Sequence, residues 1–370
     1  MGKSSLSPVL ITGGCGFVGS HIVSDILLKY EPTADVHVID IKQQKEVPGA
    51  TYYKCDISSR SDVEAIFRRC KPKTVFHVAC PDSANVQPAL FRKVNVTGTH
   101  NLLLAAQDTG TVKAFIYTCS SSVIHDNHSD LVNGDESWPV LTYPAQKRAY
   151  SLTKAEAEAS ILAANRANGD SSMLTASIRV CAAFGERDYT TFGKIAANAR
   201  QGKAKMQIGN GQNLHDVTYI SNLVDAHLLA AQGLLRAHGQ PPPSPATRVD
   251  GEAFFISNDE HILFWEHSRA IAASVGFPVK KEDIWVVPIW VAYLSALIAE
   301  WYVWLLTGGK QVPIITREAV RLVVINRTFN IDKAKRVLGY RPKITVAEGL
   351  ARTGKWFVEE EKKTATRKRV

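Results

Sequence analysis

Residues 8–19 read PVLITGGCGFVG. Val9 to Thr12 is a short β-branched run, and it feeds a turn in which Gly13, Gly16 and Gly19 share the spacing G-x-x-G-x-x-G. FVGSHIVSDILLKY (17–30) then carries a helical pattern. The physics of that order is specific. The first glycine permits a tight turn, the second lets backbone approach a pyrophosphate, and the third lets helix pack close to strand. The helix N-terminus then faces the anion. A lysine-bearing phosphate loop is excluded, because Ser20 and His21 follow Gly19. The segment predicts a dinucleotide site and, with it, an α/β fold: a Rossmann-type doubly wound parallel sheet with a smaller, mainly C-terminal substrate-binding subdomain.

The chain on either side agrees. VHVID (36–40), TYYKC (51–55), TVFHVA (74–79) and AFIYTCS (114–120) are apolar runs without alternation, separated by helical patterns that include a long one from about 85 to 108. Strands of that kind are buried on both faces. After residue 180 the pattern is irregular. GQPPPSP (239–245) cannot be helix or central strand and is expected as an exposed loop. The expected organisation is a core over 1–183, rejoined by 214–234 and 252–258. A substrate subdomain spans 184–213 and 259–350, with a Pro-rich insertion at 235–251 and a basic tail at 358–370.

The 370 residues carry 44 Lys plus Arg against 35 Asp plus Glu, with 45% hydrophobic residues. That composition excludes global disorder and fibrous architectures. The net charge of +9 invites a nucleic-acid reading, but the basic residues are dispersed and no binding motif accompanies them. Six cysteines without a C-x-x-C pair read as reduced, buried thiols, and the start of the sequence lacks an apolar leader. The tail residues Lys362, Lys363, Arg367, Lys368 and Arg369 read as a solvated, frayed terminus or as an aid on an anionic surface.

From Ile284 to Leu306 the only charge is Glu300, and four of the seven tryptophans fall there: Trp285, Trp290, Trp301 and Trp304. The reading carried forward is a buried helix or helix pair of the substrate subdomain. An amphipathic element in a membrane interface stands second. A spanning helix stands last, because Pro288 and Glu300 count against it.

Asp40 ends the second strand, where a carboxylate accepts from an adenosine ribose and repels a 2′-phosphate, favouring NAD; Lys42 beside it tempers that preference. Asp56 either binds the adenine amino group, with Ile57 on the ring, or is an ordinary residue near a helix start. Two Tyr-x-x-x-Lys pairs occur, Tyr143…Lys147 and Tyr150…Lys154. Pro144 disfavours helix at the first, whereas the second runs into AEAEASILAA, where i and i+4 share a face. An ammonium beside a phenol lowers its pKa toward working pH and makes a usable base. Ser120 ends a strand at the carboxyl edge of the sheet and is the best hydroxyl to hold a reacting oxygen, with Ser121 and Ser122 behind it. His125 and His128 resemble a metal pair, but no further ligand follows and a solvated polar loop is expected.

TGGCGFVG, Asp40, HVAC (77–80), NVTGT (95–99), YTCSS and YSLTK together resemble an extended short-chain dehydrogenase/reductase. QIGNGQNLHDVTYISNLVDAHLLAA (207–231), GEAFFISNDEHILFWE (251–266) and FNIDKAKRVLGYRP (329–342) narrow the likeness to the 3β-hydroxysteroid dehydrogenase branch, and within it to the fungal decarboxylating sterol-4α-carboxylate 3-dehydrogenases. The resemblance implies Ser120, Tyr150 and Lys154 as the catalytic set, with Asn95 supporting the lysine. It implies NAD held by Gly13, Gly16, Phe17, Val18, Gly19, Asp40, Asp56, Ile57, Ala79, Tyr150 and Lys154. It also implies oxidation of a sterol 3β-hydroxyl, with decarboxylation where a 4α-carboxylate is present, at the cytoplasmic face of the endoplasmic reticulum or in the cytoplasm. No metal or nucleic acid is expected; peripheral membrane contact through 284–306 and a homodimer are. Two departures from the family stand out: Cys119 beside the catalytic hydroxyl, and Arg179-Val180 where Arg-Pro is common, which puts cofactor positioning in question. The rival readings are a tailoring dehydrogenase of triterpenoid or meroterpenoid metabolism and a non-catalytic dinucleotide sensor.

Overall fold

Seven parallel strands form one sheet in the computed structural model, which describes residues 4–44, 46–82, 87–308, 311–313 and 315–367. They are β1 (Val9–Thr12), β2 (Val36–Asp40), β3 (Ala50–Lys54), β4 (Thr74–His77), β5 (Ala114–Ser120), β7 (Leu174–Val180) and β12 (Glu252–Ile256). The order is β12-β7-β5-β4-β1-β2-β3. The chain winds outward from β1 to β3, then returns to the other side of β1 at β4. That reversal opens a crevice at the carboxyl ends of β1 and β4, where doubly wound sheets bind ligands. The central strands are apolar throughout because both their faces are covered: β1 and β4 are buried at every residue.

Helices α1 (Phe17–Asp25), α2 (Arg60–Cys70), α3 (Pro88–Phe91), α4 (Thr99–Thr109), α5 (Ala149–Ala163) and α7 (Ile220–Ala237) accompany the sheet. The long helix expected from about 85 begins at Pro88, with a π-helical stretch at Arg92–Gly98 between α3 and α4. Residues 83–86 lie outside the described residues. The Pro-rich run 239–245 is an irregular, mostly exposed loop between α7 and β12, as expected.

A second sheet has the order β13-β10-β15-β6 and is built from β6 (Leu131–Gly134), β10 (Leu214–Asp216), β13 (His261–Leu263) and β15 (Arg327–Phe329). Residues 214–216, expected with the core, therefore pair in this smaller sheet instead. Two short pairs complete the strands: β8 (Ala183–Phe184) with β11 (Thr218–Tyr219), and β9 (Met206–Ile208) with β14 (Trp285–Val287). Around them lie α6 (Phe192–Arg200), α8 (Phe264–Ser274), α9 (Ile289–Thr307), α10 (Arg317–Leu322) and α11 (Val346–Arg367). The tail is not frayed up to Arg367. Helix α11 continues through it, anchored where Phe357 stacks on Phe192 with ring centroids 5.0 Å apart. Lys368 and Arg369 lie outside the described residues.

The apolar segment 284–306 departs from the buried helix expected of it. Helix α9 fully buries only Ala292 and Ala296, against Val320 of α10, with Tyr293 partly packed beside them. Trp290, Leu294, Ile298, Trp301, Tyr302, Trp304, Leu305 and Leu306 are all at least half exposed. Glu300 is not buried among them: it pairs with Arg317, Nε to Oε2 at 2.7 Å. The helix is long and apolar enough to cross a membrane by length and composition, yet it lies across the protein with one narrow stripe attached.

Candidate active site

The glycine loop is built so tightly that side chains are sterically barred. Gly13 has φ +69°, and a Cβ there would fall 2.8 Å from the Ala79 Cα. A Cβ on Gly19 would fall 2.3 Å from the Gly13 carbonyl oxygen, both parts being backbone that cannot swing away. Gly16 is the N-cap of α1, with no side chain capping the first N–H groups. An open helix N-terminus above a glycine cradle fits a pyrophosphate. Phe17 and Val18 form its first turn, both partly exposed.

Behind the loop a relay of hydroxyls and one imidazole locks the crevice. Thr12 Oγ1 accepts from the N–H groups of Val78 and Ala79, both at 3.1 Å. Its own proton therefore goes to His77 Nδ1, 2.8 Å away. That leaves His77 Nε2 as the donor to Thr99 Oγ1, also at 2.8 Å, and Thr99 donates to the Asn95 carbonyl. Complete burial, with Lys154 nearby, pushes the His77 pKa down to about 3, so the ring is neutral as the relay requires.

Asp40 closes the second side. Its Oδ2 accepts from the Cys15 N–H at 3.1 Å and its Oδ1 from the Lys42 N–H at 3.2 Å, which places the carboxylate against the glycine loop. Asp56 is engaged twice: Oδ1 accepts from the Ser58 N–H and hydroxyl, and Oδ2 from Lys93 Nζ at 2.9 Å. Despite the opposing effect of burial, these partners hold its carboxyl below the usual range. Ile57 is 5% exposed and packs so closely on Gly98 that a Cβ there would meet it at 2.6 Å. Its side chain thus offers little face to an adenine ring.

At the end of β5, Ser120 Oγ lies 2.9 Å from Ser122 Oγ, which in turn accepts from Ser151 Oγ at 3.0 Å. Tyr150 stands in the first turn of α5, its ring edge-on to Phe91 at 5.7 Å. Tyr143, of the alternative pair, is 74% exposed in the loop before α5. Lys154 is buried, donates to the Thr118 carbonyl at 2.5 Å and rests 4.3 Å above the Tyr117 ring. The depressed phenol expected from the Tyr-Lys spacing is not what this arrangement gives. Burial pushes the Tyr150 phenol up, Cys80 adds to that, and the Ser120 hydroxyl and then Arg148 pull it down. The lysine charge is turned onto a carbonyl and a π-face, so burial dominates. Asn95, buried, donates to Thr153 Oγ1 at 3.0 Å and keeps an unpartnered Oδ1.

The two departures from the resemblance both lie in paired strands of the large sheet. β5 and β7 pair Cys119 with Arg179 and Ser120 with Val180. Alternation then puts Cys119 and Arg179 on the opposite face from Ser120. Cys119 is buried, its thiol against the Lys154 carbonyl. Arg179 is held bidentately by Glu158, Nη2 to Oε2 at 2.7 Å. Val180 stays in the ladder, paired on both sides with Ser120 and Ile256.

His125 corrects the solvated-loop reading. It is 4% exposed, and its Nε2 bonds the Ser129 carbonyl at 2.9 Å. Together with Ser121, Ser122, Arg148, His215 and Arg327 it lines a cavity beside the serines. His215 and Arg327 come from β10 and β15, far along the chain from the serines, and no local pattern marked them. Among the described residues no cluster could hold a metal ion.

The 3-beta hydroxysteroid dehydrogenase/isomerase family matches the chain over residues 10–288. The decarboxylating sterol-4-alpha-carboxylate 3-dehydrogenase of Saccharomyces cerevisiae is 35% identical, covering 96% of this chain and 99% of that protein. The 3beta-hydroxysteroid-dehydrogenase/decarboxylase isoform 1 of Arabidopsis thaliana is 36% identical over 93% of this chain and 78% of its own length. Among solved structures, the UDP-glucose 4-epimerase of Thermotoga maritima superposes with a TM-score of 0.70 at 21% identity, covering 95% of this chain and 99% of that one. That last likeness is one of fold.

Proposed function

The chain belongs to the 3-beta hydroxysteroid dehydrogenase/isomerase family, and from that premise we propose that it oxidises the 3β-hydroxyl of a sterol to the ketone, with loss of CO₂ where C4 bears a carboxylate. The observation that carries the reading is the Ser120 hydroxyl hydrogen-bonded to Tyr150 at the end of β5, with Lys154 one helical turn further on and buried against the Thr118 carbonyl of the same strand. NAD, when bound, supplies the hydride acceptor. Gly13, Gly16 and Gly19 give its pyrophosphate a backbone cradle, and Asp40 stands where a ribose hydroxyl would be read.

Ser120 donates to the substrate oxygen and fixes its distance from Tyr150. Tyr150 takes the hydroxyl proton as the carbinol carbon gives up its hydride, and the C–O bond becomes a carbonyl. Burial opposes the phenolate that this requires. The Ser120 hydroxyl and the Arg148 cation favour it. With a carboxylate on the adjacent carbon the product is a β-keto acid. Its C–C bond breaks, the electron pair moves onto the new ketone as an enol, and CO₂ leaves without a second catalytic group.

The exposed face of helix α9 supports contact with a membrane surface; under the sterol reading that surface is the cytoplasmic face of the endoplasmic reticulum, the alternative being a cytoplasmic enzyme. A contiguous apolar face rimmed by tryptophans is what an interfacial element presents, and a sterol resides in the bilayer it would touch. The test of the activity is NAD⁺ turnover on a 4α-carboxy-3β-hydroxysterol. NADH and CO₂ in equal amounts are expected, together with loss of turnover but retention of NAD binding in Tyr150→Phe. Silence of the wild-type enzyme, or full activity of Tyr150→Phe, overturns the reading.

A further inference from the structure

The cavity beside the serines is lined by two guanidinium groups, Arg148 and Arg327, by the side chains of Ser121, Ser122 and His215, and by Phe329. It holds about 70 Å³, room for a small polar group and too little for a ring system. Arg327 is the unusual member. Its Nε is buried without a partner, and among the described residues no carboxylate pairs with its guanidinium. His215 Nε2 is a second buried atom without a partner on the same wall.

The cavity wall also carries one carboxylate, Asp216, and both its oxygens are committed to other partners. Asp216 Oδ1 accepts from His261 Nδ1 at 2.6 Å, and its Oδ2 from the Phe329 N–H at 2.8 Å. Burial, and after it the nearness of Arg148, push Arg327 below its ordinary pKa. An uncompensated cation inside a protein is costly, and buried polar groups left unpaired are rare in native structures. Such a cost is borne where a ligand completes the pairing.

The cavity adjoins the reacting oxygen. Ser122 on its wall is hydrogen-bonded to Ser120, and the Arg148 Cζ sits 5.8 Å from the centroid of the Tyr150 ring. An anion held there is a neighbour of the carbinol, as a carboxylate on the adjacent carbon would be. Guanidinium forks match carboxylates bidentately.

We infer that Arg327, assisted by Arg148 and the Ser121–Ser122 hydroxyls, is the specificity-determining site for a substrate carboxylate on the carbon next to the oxidised one. The inference rests on the sterol-oxidation reading. It makes Arg327 a residue that selects acid over plain sterol and takes no part in the hydride or proton steps.

The experiment compares kcat/KM for the 4α-carboxy-3β-hydroxysterol and for the same sterol without the carboxylate, in wild type and Arg327→Gln. Truncating one member of a buried charge pair is expected to lower the preference for the acid about 100-fold. Unfolding temperature should not fall, since an unpaired buried charge is removed. A mutation-free measurement runs beside it: acetate, at matched ionic strength, should raise KM for the acid and not for the plain sterol. An unchanged preference in Arg327→Gln, or equal effects of acetate on both substrates, overturns the inference and leaves sterol oxidation standing. A wild-type enzyme silent on both substrates overturns the underlying reading and this inference with it.

Discussion

Glu158 offers a severe test of how α5 is held. Its carboxylate is 2% exposed and takes four hydrogen bonds: Ser177 Oγ at 2.6 Å, Arg179 Nε at 3.0 Å and 3.1 Å, and Arg179 Nη2 at 2.7 Å. It stands one turn beyond Lys154 on α5, so this pair ties the helix bearing Tyr150 and Lys154 to β7. Glu158→Ala leaves the Arg179 guanidinium, 4% exposed, without its bidentate partner and with only the more distant Glu136 carboxylate acting on it. Breaking a buried pair from one side costs about 3–5 kcal/mol. At about 2 °C per kcal/mol, the low end for large domains, the unfolding temperature should drop by roughly 6–10 °C. The double variant Glu158→Leu/Arg179→Met removes both charges and keeps their volume, so it should recover most of that loss. Urea unfolding of wild type, Glu158→Leu, Arg179→Met and the double variant closes the cycle, with Glu158→Ala measured beside it. A Glu158→Ala loss under about 1 kcal/mol, or a double variant as unstable as the single, would refute the claim that the pair locks α5 to the sheet.

Three further outcomes are expected. Gly19→Ala drives a Cβ into backbone at 2.3 Å, whereas Gly16→Ala meets the Gly13 oxygen at only 3.1 Å; the first should lose about 1–3 kcal/mol of stability and the second far less, while both lose NAD binding because a Cβ on Gly16 takes the space of the pyrophosphate, and equal unfolding midpoints for the two variants, or wild-type NAD affinity in Gly16→Ala by fluorescence titration, would contradict the steric account. His77, His227 and His267 have pKa values pushed down by burial, to about 3, 4 and 4, and His215 is lowered well below its ordinary value. These depressed groups stabilise the fold above the unfolded histidine pKa of about 6.5 and lose that contribution as pH falls toward 4, each by up to about 1.4 kcal/mol per pH unit; Glu136 and Asp216, whose carboxyls burial pushes up, act in the opposite sense. Stability by urea should therefore fall from pH 7 to pH 5, and a flat profile would exclude buried neutral imidazoles. Finally, Trp301 and Trp304 are 59% and 55% exposed, so replacing both by Ser should weaken flotation with liposomes by about 2–3 kcal/mol per side chain, and unaltered flotation would remove α9 from the membrane contact.

What could be read from the sequence was local. The glycine spacing, the five apolar strands before residue 120 and the helical run after Tyr150 are each contained within a dozen or so residues, and each formed as its own pattern demands. The anion cavity was invisible because Arg148, His215 and Arg327 reach it from three distant parts of the chain, and only the pairing of β10 with β15 makes neighbours of the last two. Helix α9 misled for a different reason. Apolar composition says what water disfavours but not what does the covering, and the fold turns only an alanine stripe inward. The acidity of Tyr150 shows the same limit: spacing puts Lys154 on its face of the helix, while the direction of the ammonium is set by the Thr118 carbonyl on another strand.

Strand β12 adds the seventh member of the sheet from sequence more than seventy residues beyond β7, its partner over five registered residues. Until that segment arrives, β7 (LTASIRV) presents an open ladder edge of residues that the complete fold buries, the kind of surface on which chains pair with one another. A fragment ending near residue 183, though it holds every strand from β1 to β7, is thus an aggregation-prone species. During synthesis the nucleotide-binding half must wait for Ile256 to emerge before its sheet is sealed, and the long loop closure makes this a late step in folding.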